Sequence, residues 1–459
     1  MTLAIIGGGP AGYAAAVTAA RKGMQVVLID KGPLGGTCLN EGCIPTKSLL
    51  ESANILDKIK HANTFGIELP QNITVNWARM QARKRQIVNQ LVQGIQYLMK
   101  ANQIKVISGT ASFLSDKTLL IEDGGGAKEI LEADKILIAS GSEPMSLPCA
   151  PFDGGWVIDS QGALSLKQIP SSLLIVGGGV IGCEFASLFS RLKTKVTVIE
   201  MADQLLPAED GEIAAAFEET LRESGVDIQT GAALQRVDQA SKTAVWTKDG
   251  KEIEARADHI LIAVGRKPRL QGLHLEQAGI RFSLGGIEVN EHMQTNLPHI
   301  YACGDAAGGF QLAHAAIHEG MAAASHASGR DTAVNMRAVP RCIYTSPEMA
   351  AIGLTEKQAR ERYGDVHIGE CSFSANGKAL IKNQHGGKMK IIAEPEFGEI
   401  VGVSMIGPDV TELIGQAAML MNGEMTADMS EHFIAAHPTL SETLQEALLN
   451  VTGLAVHSV

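Results

Sequence analysis

Two cysteines, Cys38 and Cys43, stand with four residues between them in the stretch LGGTCLNEGCIPTK (34–47), which ends in Pro45 and Lys47. Thiols paired this closely can exchange with a substrate disulfide, staple the chain, or supply part of a metal site. In an undistorted helix, positions five apart lie on the order of 8–9 Å apart and nearly half a turn out of phase. A disulfide needs roughly 4.4–6.8 Å between Cα atoms, so a regular helix cannot bridge the pair. Pro45 has no N–H and must either open a helix or distort one, and either geometry could bring the sulfurs together. Lys47 falls four residues after Cys43, on the same helical face. As a structural staple the pair would close a very short loop, the kind that the chain-entropy picture stabilises least. A zinc site would want a second pair of cysteines or histidines nearby, and the sequence has none. Two buried, inert cysteines remain an ordinary alternative. The stretch by itself leaves redox chemistry and inert packing both open.

The elements around it narrow the choice. A short apolar strand at 3–6 runs into GGGPAG, where Gly7, Gly9 and Gly12 fit G-x-G-x-x-G, and an alanine-rich helix follows. A second strand at 25–29 ends in Asp30. Strand, glycine turn, helix, strand and acid together form the dinucleotide-binding context, in which helix N–H groups face a pyrophosphate and the acid takes a ribose hydroxyl. The unit recurs at 173–200 with Gly177, Gly179 and Gly182 and a closing Glu200. This internal repeat predicts two nucleotide sites. Glu200 would accept a free 2′-hydroxyl and repel a 2′-phosphate, and no arginine follows in Met201-Ala202-Asp203, so the second site is expected to take NAD.

Strands at 135–139 and 259–264 run into Ser140-Gly141-Ser142 and Gly265-Arg266-Lys267-Pro268, where the chain should leave one domain for the next. A strand at 299–302 ends in Cys303-Gly304-Asp305 before a helix at 311–328, so the first nucleotide domain should be interrupted and later resumed. Asp305 could cap a helix or hold a ligand hydroxyl. Beyond about residue 336 strands and helices mix without a glycine fingerprint. The expected fold is α/β: two Rossmann-like dinucleotide-binding domains plus a C-terminal α+β dimerisation domain. The expected boundaries are 1–142 and 265–335 for the first nucleotide domain, 143–264 for the second, and 336–459 for the last.

Composition excludes several classes. A formal net charge of −11 argues against nucleic acid. The basic cluster Arg79, Arg83, Lys84 and Arg85 reads as a solvated helix face. Seven scattered cysteines suit a reducing compartment. No apolar run is long enough to cross a membrane, and the strand that follows Met1 and Thr2 leaves no room for a signal peptide, so a cytoplasmic location is expected.

GGGPAGY, GGTCLNEGCIPTK, GGGVIGCE with Glu200, AVGRKP, YACGDA and HPTLSE together resemble the disulfide oxidoreductase flavoproteins, and within them the dihydrolipoyl dehydrogenases, over essentially the whole chain. The C-terminal end is similar to the version found with acetoin-cleaving complexes. The resemblance implies FAD in the first nucleotide unit, NAD in the second, and a redox-active Cys38–Cys43 disulfide, with Cys43 next to the flavin and Cys38 meeting the substrate. It implies flavin-side roles for Thr37, Lys47, Ala111, Ser140, Gly141, Asp305 and Ala313. It also implies NAD-domain contacts at Val237 and Gly265, and a Glu184 that pairs with Lys47. The competing reading of Glu184 is an acid favoured by the helix dipole in a first turn. The resemblance further implies a catalytic base, His437, held by Glu442 and donated across a homodimer, and lipoyl domains of a 2-oxoacid or acetoin dehydrogenase complex as partners. His437, next to Pro438 and just before a helix, is awkwardly placed for a core histidine. Thr439-x-x-Glu442 also reads as a capping box, in which Glu442 would serve the helix. Ala435 stands where many relatives carry a second histidine, which leaves the base in place but not a second-histidine role. The implied activity is oxidation of dihydrolipoyl groups with reduction of NAD⁺. The rival within the fold is an NAD(P)H-dependent reductase of a small disulfide such as glutathione, which Glu200 opposes. A mercuric reductase would need a C-terminal cysteine pair, and the last cysteine is Cys371.

Overall fold

The computed structural model describes residues 1–70 and 73–457, so Ser458 and Val459, the end of the expected dimerisation domain, lie outside it. The chain forms two compact units, one built from residues 1–48, 78–145 and 265–336 and the other from 49–77, 146–264 and 337–459.

In the first unit a parallel sheet runs in the order Ile300–Ala302, Lys135–Ile138, Thr2–Ile6, Gln25–Asp30, Lys105–Ser108. The strand at 300–302 therefore joins the sheet that the N-terminus begins, after the chain has passed through the other unit. Period-two alternation sorts the core. Leu3 and Ile5 pack on the helix side with Ala15, Ala16 and Ala323, whereas Ala4 and Ile6 face Phe113, Leu119 and Ile121 of a three-stranded antiparallel sheet. The alanines of helix Pro10–Arg21 have a packing reason. A Cβ placed on Gly320 of helix Ala313–Ala327 would lie 2.3 Å from the Ala11 carbonyl oxygen, so only small residues allow this approach. The two expected crossings meet each other: Ser142–Pro144 pairs antiparallel with Arg266–Pro268.

In the second unit the nucleotide fold is repeated. The parallel order is Asp227–Gln229, Lys195–Ile199, Ser172–Val176, His259–Ile262, Val157–Ile158. Registers coincide with the first copy: Ile6 lies opposite Ile29, and Val176 opposite Ile199. The C-terminal part is a five-stranded antiparallel sheet covered by helices Val410–Asn422 and Ser441–Val451, with Met389, Ile391, Val403 and Leu444 in its core. Residues 49–77, expected with the first nucleotide domain, make their anchoring contacts in the second unit. The Trp77 indole donates to the Leu166 carbonyl at 2.8 Å, and Arg191 donates to the Asn54 side chain. The basic helix Trp77–Ala101 departs from expectation at one position: Arg79, Arg83 and Arg85 are exposed, but Lys84 is buried and its ammonium is held below its usual range by desolvation.

The glycine turns are sterically closed to anything larger at two of their three positions, Gly7 and Gly12 in the first and Gly177 and Gly182 in the second. A Cβ on Gly12 would sit 1.8 Å from the Gly7 carbonyl oxygen, and one on Gly182 would sit 2.0 Å from that of Gly177. Gly12→Ala should therefore destabilise the chain by at least about 2 kcal/mol, since helix and strand must part to admit the methyl. Thermal unfolding of the purified variant checks this; an unchanged transition would refute it.

Candidate active site

Cys38 belongs to the short helix Gly36–Glu41, and Cys43 is the first residue of helix Cys43–Lys60. Gly42 breaks the two helices apart at φ −137°, ψ −108°. The pair thus straddles a helix break, which is how it escapes the spacing of a regular helix. Pro45 is the third residue of the second helix, where its missing N–H costs no intrahelical bond. Both cysteines are thiols here, and the two are hydrogen-bonded to each other. The hydrogen bond to Cys43, with burial, pushes the Cys38 thiol well up, against a downward pull from the Lys47 charge.

The cysteine segment is seated directly on the first glycine loop. The Gly35 N–H donates to the Gly8 carbonyl at 2.8 Å, and a Cβ on Gly36 would meet the Gly9 Cα at 2.6 Å. Asn40 fastens the turn from within, its amide donating to the carbonyls of Pro33, Leu34 and Gly36 at 3.0–3.2 Å. Thr37 is the second residue of the same helix.

Both glycine loops are shaped for a phosphate. Helices Pro10–Arg21 and Val180–Arg191 begin without a capping side chain or an acid in the first turn. Helix Gly211–Glu223 is capped by Asp210, and Glu356–Tyr363 carries a full capping box. The first-turn N–H groups of the two nucleotide helices are thus left for an external anion. Gly9 and Gly179 have ordinary φ values of −71° and −74°, and a Cβ at Gly179 would meet nothing within 4 Å. Neither backbone nor packing demands glycine at 179, and the space there is open to the approach of a phosphate. The closing acids are bound alike: the Gly8 N–H donates to Asp30 at 2.5 Å and the Gly178 N–H to Glu200 at 2.6 Å. A cleft of about 450 Å³ opens beside Asp30, lined by Leu34, Met99, Ile104 and Val106 among others.

Further flavin-side candidates gather in the first unit. The Ser140 hydroxyl is buried without a hydrogen-bond partner, an orphan that a bound ligand would satisfy. Gly141 adjoins it at φ +72°, Ala111 is buried in strand Thr110–Phe113, and Ala313 opens helix Ala313–Ala327. Asp305 does not cap that helix. It lies in the turn Gly304–Ala307 and accepts from the Ser142 hydroxyl at 2.5 Å, which Arg266 in turn holds at 2.8 Å.

In the second unit Glu184 is the fifth residue of its helix, past the first turn, so the helix-dipole reading does not apply. It is buried and accepts from the Tyr344 N–H at 3.1 Å. Val237 lies in strand Ala232–Asp238, whereas Gly265, in the first unit, adopts φ +120°. His437 is 78 % exposed, and its Nδ1 stands 2.7 Å from the Glu442 carboxylate. The other Glu442 oxygen accepts from the Thr439 N–H at 2.8 Å, while the Thr439 hydroxyl turns to the Ala436 carbonyl. Only half of the capping box forms, and Glu442 serves histidine and backbone with one oxygen each.

Residues 1–320 match the pyridine nucleotide-disulphide oxidoreductase family, and residues 339–448 match that family's dimerisation domain. The chain belongs to the pyridine nucleotide-disulphide oxidoreductases. It is 72% identical to a dihydrolipoyl dehydrogenase of Bacillus subtilis over all of both chains. It is 36% identical to that of Geobacillus stearothermophilus, over 99% of this chain and 97% of the relative. Among solved structures, LpdA of Mycobacterium tuberculosis superposes with a TM-score of 0.91 at 28% identity, covering 98% and 99% of the two chains. The HOCl-induced flavoprotein disulfide reductase RclA of Escherichia coli gives 0.85 at 31% identity, covering 98% and 99%. In this oxidoreductase the family's first domain model spans both glycine loops and the cysteine pair, and the dimerisation match spans His437 and Glu442. Among the described residues no helix is long and apolar enough to cross a membrane.

Some supporting residues had no sequence signal. Ser142 and Arg266 act through a strand pairing distant in sequence. Glu319, buried in helix Ala313–Ala327, accepts the Gly304 N–H at 2.6 Å, and burial raises its carboxyl above the usual range. An acid at i+15 from a glycine offers no local pattern to read.

Burial alone would raise the Glu442 carboxyl, but the hydrogen bonds from His437 and Thr439 outweigh it and hold it below its usual range. A carboxyl more acidic folded than unfolded stabilises above its unfolded pKa of about 4.3 and loses that contribution as pH falls through the folded value. The gap in melting temperature between the native chain and Glu442→Gln, open at neutral pH, should close as acid is added below about pH 4. A gap independent of pH would show that the charge is immaterial.

Proposed function

We propose that this oxidoreductase oxidises protein-bound dihydrolipoyl groups to lipoyl and reduces NAD⁺ to NADH. The observation that carries the reading is the cysteine pair seated on an FAD-type glycine loop, in a chain whose second loop closes on Glu200 and which is 72% identical to a dihydrolipoyl dehydrogenase. The FAD-binding domain comprises 1–142 with 265–335, the NAD-binding domain 143–264 and the dimerisation domain 336–459. The uncapped helix starts, the open space at Gly179 and the orphaned Ser140 hydroxyl support binding of the two nucleotides.

His437, its Nδ1–H held by Glu442, presents Nε2 to a dihydrolipoyl thiol and takes its proton. The lipoyl thiolate attacks Cys38 of the Cys38–Cys43 disulfide, forming a mixed disulfide and releasing Cys43 as thiolate. The second lipoyl sulfur displaces Cys38, closing the lipoyl disulfide. One proton ends on His437, the other on Cys38, and the electron pair is left with the cysteine dithiol. Cys43 at a helix start, with Lys47 one turn on, is suited to hold the negative charge. The chemistry a bound FAD supplies is transfer of that electron pair to the nicotinamide. Thr37, Ala111, Ser140, Gly141, Asp305 and Ala313 line the flavin side. Glu184, Val237 and Gly265 serve the nicotinamide side, and Glu200 takes the ribose. The exposed His437 supports a homodimer in which the base serves the partner's cysteines. The protein acts in the cytoplasm, with lipoyl domains of a 2-oxoacid or acetoin dehydrogenase complex as its partners.

Purified holoenzyme given dihydrolipoamide and NAD⁺ should generate NADH, and turnover only with NADPH and glutathione would overturn the reading. Cys43→Ser should abolish turnover while flavin stays bound. In verified heterodimers of Cys43→Ser with His437→Ala chains, part of the activity should return; none would place the base within one chain.

A further inference from the structure

We propose that Glu209 and Arg341 are positioning residues for the pyridine nucleotide, setting the second glycine loop through the turn that follows Glu200. The proposal rests on the reading of that loop as the NAD site.

Gly178 is held from both sides. Its N–H donates to Glu200 at 2.6 Å, and its carbonyl accepts from the Leu206 N–H at 2.9 Å. Leu205 closes over it, since a Cβ on Gly178 would lie 2.4 Å from a Leu205 methyl. Leu206 reaches this position in the left-handed region, φ +52°, which a leucine adopts only when its surroundings impose it. The imposing contact is the far side of the turn. The Glu209 N–H donates to the Leu206 carbonyl at 2.9 Å, and the Glu209 side chain is buried. A buried carboxylate needs a partner, and Arg341 supplies it as a fork, Nε to one oxygen at 2.9 Å and Nη2 to the other at 3.0 Å. Arg341 opens strand Arg341–Ile343, whose partner strand Glu348–Gly353 fixes its line. It also donates to the Gly353 carbonyl at 3.3 Å, so the guanidinium cannot swing with the turn. The next residue, Asp210, is pinned independently by buried Lys390. The C-terminal sheet thereby holds the turn that seats Gly178, one residue before the N–H groups left for the pyrophosphate. Removing the fork frees Glu209 to seek water, and Leu206 can then relax out of its unfavoured conformation and release the Gly178 carbonyl.

The test uses flavin-loaded Arg341→Met and, in case that variant folds poorly, the isosteric Glu209→Gln. The KM for NAD⁺ should rise about fivefold to tenfold with kcat at saturating NAD⁺ altered less than about twofold, the split expected for lost ground-state positioning. The rate at which dihydrolipoamide bleaches the flavin without NAD⁺ should not change. Arg341→Lys, which keeps the charge without the fork, should recover part of the affinity. A fall in melting temperature or flavin content with an unchanged NAD⁺ KM in both variants would overturn the proposal and leave the fork a structural contact. Glu200→Ala separates the two readings. If it raises the NAD⁺ KM while the fork variants do not, only the positioning role is lost. If it too leaves the KM unchanged, the nucleotide site itself is misassigned, and the proposal falls with it.

Discussion

The first unit's chemistry hangs on one backbone-to-backbone approach. Gly36, two residues before Cys38, lies so close to Gly9 that no side chain fits between them. The segment carrying the thiols is thereby held against the first glycine loop, with the Gly35–Gly8 hydrogen bond fixing its register. The spacing between the thiol-bearing segment and the loop is then set by main chain, which has few soft degrees of freedom, and not by the rotamers of long side chains. The break at Gly42 completes the arrangement by turning Cys43 back toward Cys38. The approach to Gly9 therefore explains Gly36, and a φ of +104° beneath Leu39 explains Gly35, the two letters that precede TC in the sequence.

The two nucleotide units show how one local solution is reused with different surroundings. The glycine loop, the acid that binds its second N–H and the strand register are the same in both copies. What differs is the cover. In the first copy the cysteine-bearing turn lies on the loop; in the second a turn with buried Leu205 and Leu206 does. The same fold unit thus presents a redox-bearing lid in one place and an inert, salt-bridged one in the other.

Much of this was legible in the sequence because it is local. Strands of period two, G-x-G-x-x-G turns and terminal acids lie within thirty residues of one another, and their spacing carries the physics. The resumption of the first sheet at 300–302 could be inferred from the pattern of strands ending in glycine and acid. Other features were not legible. Glu442's division between His437 and Thr439 depends on the placement of two oxygens, which a capping-box pattern does not specify. Glu184's position past the first turn depends on where the helix begins. The Glu209–Arg341 fork joins residues 132 apart, and nothing in either neighbourhood marks the pairing. Residues 49–77 group with the second unit because Trp77 and Asn54 find partners there, which is again a matter of long-range contact.

The glycines of the two loops fall into separate accounts of selection. Gly12 and Gly182 answer to the chain itself, because a methyl there collides with its own backbone. Gly179 answers to no such collision, since a methyl there meets no atom of the protein, and on the proposed reading it serves the nucleotide. Folding and cofactor loading are therefore written in different letters of the same motif. A lineage released from catalysis could drift at the second kind of position and still inherit an intact architecture, so a sequence that keeps the first kind and loses the second would mark a fold that has outlived its chemistry.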